Sequence, residues 1–373
     1  MRRTGGFASI ATLLILFAAL LSACGSSSTS TGSGGGGSTP TAPSVTVALV
    51  TDIGGLNDQG FNHLAFQGYT KAMNQYHFTS HIIQTQSQND YVKNLTLAAQ
   101  SSQMVIAVGF LMQTPLDKVA KRFTNVKFGI VDGCAVPDPN TGACENLPNV
   151  APLFFKEQEA GCLVGAIAGQ MEADGKAKAP KLLGHNTISA VGGFAIPPVV
   201  RYIAGYKYCA QKVDPSVKVV IGYSSNFNDP TKCGAIADKQ FSDNQADILF
   251  QVAGLCGIGV LDSATKHNVY SIGVDVDQSK DSTGAVRPSV ITSAIKRIDV
   301  AAYDIINMAE QQGTAATGAY SSFVASPTTF DLVHDGVGYA TPSSDVPADA
   351  VAKAMAFSDM IKAGTLTPPA AIP

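Results

Sequence analysis

The stretch Val45-Thr-Val-Ala-Leu-Val50, continued by Thr51-Asp52-Ile53-Gly54-Gly55-Leu56-Asn57-Asp58-Gln59-Gly60-Phe61-Asn62, decides the fold. Its opening is a short apolar, β-branched run without alternation, the pattern of a strand buried on both faces. Short polar residues and glycines follow. Gly54 and Gly55 permit a tight backbone path, and Asn57 or Asp58 could cap a helix. Asn62 to Gln75 then carries a helical pattern, with Leu64, Ala65, Gly68 and Ala72 as its inward candidates. A buried strand, a polar turn and a helix make one unit of a parallel α/β sheet. The turn has two readings: a capped connection with Phe61 as a staple residue, or the polar wall of a pocket with Phe61 as an aromatic platform.

The same alternation continues outward. Further strands are expected at Met104 to Val108, Lys127 to Val131, Val150 to Phe155, Ile188 to Val191, Val217 to Tyr223, Ile248 to Ala253 and Val269 to Val274. Helical stretches separate most of them: Pro115 to Phe123, Lys156 to Met171, Pro198 to Val213, Lys232 to Ser242 and Gly257 to His267. The order predicts two doubly wound parallel-sheet lobes, because the chain from Val45 to Pro373 exceeds one typical core. Residues 45–150 form the first part of lobe 1 in this reading, and 151–274, opening with Val150 to Phe155, the first part of lobe 2. A strand and long helix over Val290 to Gln312 return residues 275–320 to lobe 1. Residues 321–373, with Phe330 to Tyr339, return to lobe 2 and end in a tail. Such crossings make a hinge with a cleft at the carboxyl ends of the strands.

The N-terminus has its own logic. Arg2 and Arg3 precede an apolar run from Phe7 to Leu21. The run falls short of the roughly 20 apolar residues that span a bilayer, and matches a secretory h-region instead. It ends in Leu21-Ser22-Ala23-Cys24, which resembles the bacterial lipobox. Residues 1–23 are therefore expected to be a lipoprotein signal peptide and Cys24 the lipidated residue. Residues 24–44 are almost entirely Gly, Ser, Thr and Pro, a flexible leash of roughly 25 Å mean reach. The expected location is the outer face of the bacterial cytoplasmic membrane.

Formal charge is −3 and no basic stripe occurs, which argues against nucleic acid as a partner. Beyond Cys24 an even set remains: Cys134, Cys144, Cys162, Cys209, Cys233 and Cys256. Export favours disulfides, and the turn-rich loop Pro137-Asp-Pro-Asn-Thr-Gly142 makes Cys134–Cys144 the first expected bridge. Closing that loop contributes roughly 2–3 kcal/mol. The other pairings stay open. No CxxC and no Cys/His cluster points to a metal. Gly257-Ile258-Gly259 lacks the third glycine of a dinucleotide fingerprint, and no phosphate-loop, HExxH or GxSxG motif occurs. No cofactor, metal or enzymatic constellation is expected.

Carboxylates recur just after the strands. Asp52, Asp132, Asp229 and the pair Asp275 and Asp277 stand there, and Gly254 follows Leu249 to Ala253. Converging on one cleft, such groups suit a ligand rich in donors, such as a sugar or nucleoside.

The opening motif resembles that of the basic membrane protein family, lipoprotein solute-binding subunits of ABC importers that include purine-nucleoside receptors. Further matches follow in order: Glu157-Gln-Glu-Ala-Gly161, Val191-Gly-Gly193, Phe227-Asn-Asp229, Ala253-Gly-Leu-Cys-Gly-Ile-Gly259, Ile272-Gly-Val-Asp-Val-Asp-Gln278, Thr292-Ser-Ala-Ile-Lys-Arg297 and Asp335-Gly-Val337. The resemblance implies a type I periplasmic-binding-protein fold and a nucleoside, a purine above all, held between the lobes without chemical change. By motif, Phe61 and Phe227 would stack on the base and Asp132 would face its edge. Asp275 would accept from the ribose and Lys296 would donate to it, offsetting the burial of Asp275. Asp52, Asn57, Asp58 and Gly254 would complete the wall. Implied partners are ABC permease subunits in the membrane, with the chain itself a monomer. The alternative is a binder or sensor of another small polar solute, such as an amino acid or sugar, on the same fold. The Cys134–Cys144 loop follows Asp132 directly and could reshape the base end of the pocket.

Overall fold

Five parallel strands in the same order form the body of each of two sheets. The computed structural model describes residues 45–311 and 328–373. The expected signal segment, Cys24 and the leash lie outside the described residues. In the first sheet β1 (Thr46–Val50) lies between β2 (Thr79–Ile83) and β3 (Met104–Val108), with β4 (Lys127–Val131) and β5 (Val150–Phe155) beyond. In the second, β6 (Thr187–Gly192) lies between β7 (Lys218–Tyr223) and β8 (Ile248–Val252), with β9 (Tyr270–Asp275) and β10 (Val290–Lys296) beyond. This is the doubly wound order that puts a switch point beside β1 and β6. The central strands β3, β4, β6 and β8 are buried along their whole length, which is why their sequences run apolar without alternation.

Helices cover both faces of each sheet. On the first, α1 (Phe61–Tyr76) packs with α8 (Ile298–Gln311), while α2 (Tyr91–Ser101) and α3 (Gln113–Ala120) cover the other face. On the second, α4 (Glu157–Asp174) and α5 (Pro197–Val213) take one face, and α6 (Pro230–Asn244) and α7 (Ile258–His267) the other. The last helix, α9 (Ala348–Lys362), lies against α4. Gly161, Gly165 and Gly169 make one stripe on α4. A Cβ there would come within 2.1, 2.2 and 2.6 Å of the backbone oxygens of Tyr202, Tyr206 and Ala210 on α5. The two backbones therefore touch, and Cys162–Cys209 bridges the same seam. Cys134–Cys144 forms as expected, and Cys233–Cys256 ties α6 to the turn after β8.

The chain passes between the sheets three times among the described residues, at Lys156, at Arg297 and over 331–336. The crossings run side by side. The Lys156 N–H donates to Phe330 O at 3.0 Å and the Arg297 N–H to Gly336 O at 2.9 Å. Lys156 Nζ also pairs with Asp331 at 3.0 Å, and Leu332 N–H donates to Glu159 Oε2 at 2.8 Å.

The boundaries differ from the sequence expectation in a consistent way. β5, expected to open lobe 2, pairs in parallel with β4 in the first sheet. β10, expected to return to lobe 1, pairs with β9 in the second sheet, and only α8 after it packs on the first lobe. The segment Phe330 to Tyr339 is split: β11 (Thr328–Phe330) joins β5, and β12 (Val337–Tyr339) joins β10. The physical reason is that the five-stranded parallel body of each sheet is completed before the chain leaves it, and only the short edge strands β11 and β12 are added afterwards. A fifth strand buries its apolar residues beside the fourth, so the crossing follows that strand.

Candidate functional site

The carboxyl ends of both sheets line one cavity of about 590 Å³, counted out to its open mouth. Its first-lobe wall comes from the turns after β1, β3 and β4. Its second-lobe wall comes from the turns after β6, β7 and β8, the start of α5, and the ends of β9 and β10. Asp52, Asp58, Phe61, Asp132, Phe227, Gly254, Asp275 and Lys296 all line it. Asn57 does not; it is exposed, and the turn brings Asp58 inward in its place.

The turn after β1 both closes the start of α1 and walls the cavity. The Asp58 carboxylate accepts from the backbone N–H groups of Gly60 (3.0 Å), Asn62 (2.8 Å) and His63 (3.1 Å), satisfying the start of α1. The following Phe61 lines the cavity from the first lobe. Across the cleft, Phe227 meets Phe194 edge to face at 5.1 Å between centroids. It rests against Gly193, where a Cβ would fall 2.1 Å from the ring.

Beside Phe61 lies a buried charge cluster. Lys296 is 1% exposed. Its Nζ donates to Asp132 Oδ2 at 2.6 Å and to Glu157 Oε1 at 3.0 Å, and lies 5.3 Å from the Phe61 ring centroid. Burial works to deprotonate Lys296, but the carboxylates of Asp132, Glu157 and Asp275 outweigh it and hold the ammonium charged. Asp275 is not the direct partner expected for Lys296. Its hydrogen bond comes from Tyr202 at 3.2 Å, and Lys296 acts on it only through charge. Burial raises Asp275 to about 7. It also raises Asp52 to about 7, against a hydrogen bond from Tyr91. Asp132 Oδ1 is buried and has no hydrogen-bond partner among the described residues.

Asp132 and Asp275 both sit in the left-handed region, at φ +67° and +64°. For a residue with a Cβ this conformation costs roughly 1–2 kcal/mol, least for Asp and Asn. Both therefore carry a local backbone cost at strand ends that meet around one cavity. Tyr202, Tyr91, Asn62 and Glu157 carry roles that the sequence did not assign. Glu157 and Asn62 had a signal, since one opens and the other closes a quoted motif, and Asn62 Oδ1 accepts from the Asp52 N–H at 2.9 Å; the two tyrosines touch the site only through tertiary packing. No residue from 133 to 148 lines the cavity, so the Cys134–Cys144 loop supplies none of its wall.

Residues 45–364 match the family model described as "ABC transporter substrate-binding protein PnrA-like". The chain belongs to this family. It is therefore a substrate-binding protein of an ABC transporter, whose partners are a small ligand and a permease. The family chain is similar to an uncharacterised lipoprotein of Pyrococcus horikoshii, 31% identical over 79% of this chain and 69% of the relative. It is also similar to the ABC transporter nucleoside-binding protein BmpA of Lactococcus lactis, 30% identical over 82% and 85% of the two chains. Among solved structures, an ABC transporter solute-binding protein from Aeropyrum pernix superposes with a TM-score of 0.70 at 25% identity, covering 87% of this chain and 94% of that one. The PnrA-like chain thus has the α/β periplasmic-binding fold expected of it.

Proposed function

We propose that this substrate-binding protein takes a nucleoside, a purine for preference, between its lobes and releases it unchanged to its transporter. The observation that carries the reading is the pair of rings, Phe61 from one lobe and Phe227 from the other, lining a single cavity. A flat base gains roughly 0.5–1.5 kcal/mol from each aromatic contact beyond its buried area. Contacts to both lobes make the ligand a reason to close. The unpartnered Asp132 Oδ1 would accept a donor on the base edge. Asp275 would accept ribose hydroxyls. Lys296 has three N–H groups and two carboxylate partners, which leaves one for the ribose. Asp52, Asp58 and Gly254 would close the wall. Lys296 is the only cation among the lining residues and is already paired, which favours a neutral ligand over a phosphorylated one. BmpA of Lactococcus lactis, named for nucleoside binding, supports the same choice. Attachment would run through lipid on Cys24, outside the cytoplasmic membrane, with the protein acting as a monomer.

Calorimetric titration with adenosine, guanosine and inosine tests the proposal. Phe227→Ala and Asp275→Ala should each lose roughly 1.5–3 kcal/mol, ten- to hundredfold in affinity. A protein freed of bound ligand that takes up none of the three at millimolar concentration would refute the nucleoside assignment.

A further inference from the structure

A second polar system reaches across the cleft, through side chains that the ligand proposal does not use. Gln251, on β8, is wholly buried, and Gln278, just beyond β9, is 2% exposed. Gln251 Oε1 accepts from the backbone N–H of Ala253 at 3.0 Å, and its Nε2 donates to Gln278 Oε1 at 2.6 Å. The same Gln278 oxygen accepts from the backbone N–H of Val274 at 3.1 Å. A backbone N–H can only donate, so each carboxamide is fixed in one orientation. Gln278 Nε2 must then face the other way, and it donates to the carbonyl of Gln59 on the first lobe at 3.2 Å. Two glycines make room for the chain. A Cβ on Gly257 would fall 1.7 Å from Gln251 Oε1, and one on Gly273 2.8 Å from Gln278 Oε1. Arg287 adds a second arm, donating from Nη2 to Gln59 Oε1 at 3.1 Å. Its Nη1 is anchored on the carbonyl of Lys280 at 2.8 Å. Gln59 itself sits in the left-handed region, φ +54°, between Asp58 and Phe61.

We propose that Gln278 is a positioning residue for closure. Its one-way amide chain, grounded in the second lobe, grips the turn that carries Asp58 and Phe61 and sets how firmly the lobes shut. The inference goes beyond the nucleoside proposal and does not rest on it, because every partner in the amide chain is a residue of this protein. The bond to Gln59 exists only when the lobes are together. Breaking it leaves every other bond of the pair inside the second lobe. Gln278→Glu separates the two roles. The substituted side chain keeps acceptors for Val274 and Gln251, but sets a carboxylate against the Gln59 carbonyl, and opening the cleft lets water relieve that contact.

The test is amide hydrogen exchange on the full chain without ligand. In Gln278→Glu the peptide Thr51–Asn62, on the opposite lobe, should exchange roughly tenfold faster, while β8 and β10 keep their wild-type rates. Arg287→Ala should give a smaller rise in the same peptide. Unchanged exchange over Thr51–Asn62 would overturn the proposal. So would an equal rise in β8 and β10, since Gln278 would then serve only its own lobe.

Discussion

Asp275 ends β9 in a strained backbone, accepts from Tyr202 and faces Lys296 through charge alone. Burial raises it from an ordinary 3.8 to about 7, and Asp52 does the same. The folded chain thus holds protons that the unfolded chain releases between about pH 4 and pH 7, so stability falls as pH rises through that window. Ligand binding runs the opposite way. Hydroxyl donors favour the charged carboxylate, so nucleoside affinity should rise between about pH 5 and pH 8. Calorimetry across that range should show the slope weakened in Asp275→Asn; a slope unchanged by that substitution would remove Asp275 from the ribose. The carboxylates were legible because they follow apolar strands, where the α/β rule places ligands. Tyr202 and Tyr91 were not, because nothing local in α5 or α2 tells a tyrosine that donates into a cleft from one that fills a core.

Among the described elements, the pair α4 and α5 shares the most extensive contact. The glycine stripe lets the backbones meet, and Cys162–Cys209 closes a loop of 47 residues over that seam. Replacing both cysteines by alanine should lower unfolding stability by about 2–4 kcal/mol, read from denaturant midpoints. An unchanged midpoint would show that the helix packing alone fixes the seam. The bridge could not be chosen from sequence, since the cysteines' spacing says nothing about which helices meet. Most strands were legible from unbroken apolar runs. β2 was not: its Thr-Ser-His-Ile-Ile is an edge strand, half exposed and paired on one side only. α2 was missed too, and β5 and β10 were found but placed in the wrong lobes. A run of apolar residues reports burial, not which sheet provides it.

At the scale of the molecule, three adjacent crossings join two lobes of like topology, and the cavity lies where their switch points face each other. No helix among the described residues is long and apolar enough to cross a membrane. The proposed attachment is the lipid on Cys24. Cys24→Ala should release the protein or leave its precursor uncut, as fractionation and mass spectrometry would show. Normal processing with full membrane retention would contradict that attachment. The central claim, a nucleoside held between the lobes, is tested most directly by a crystal structure of the chain grown with inosine. The expected result is the base between Phe61 and Phe227, a donor on Asp132 Oδ1 and the ribose hydroxyls on Asp275. A cleft empty of inosine at saturating concentration, or a different solute carried through purification and seated on the same residues, would contradict it.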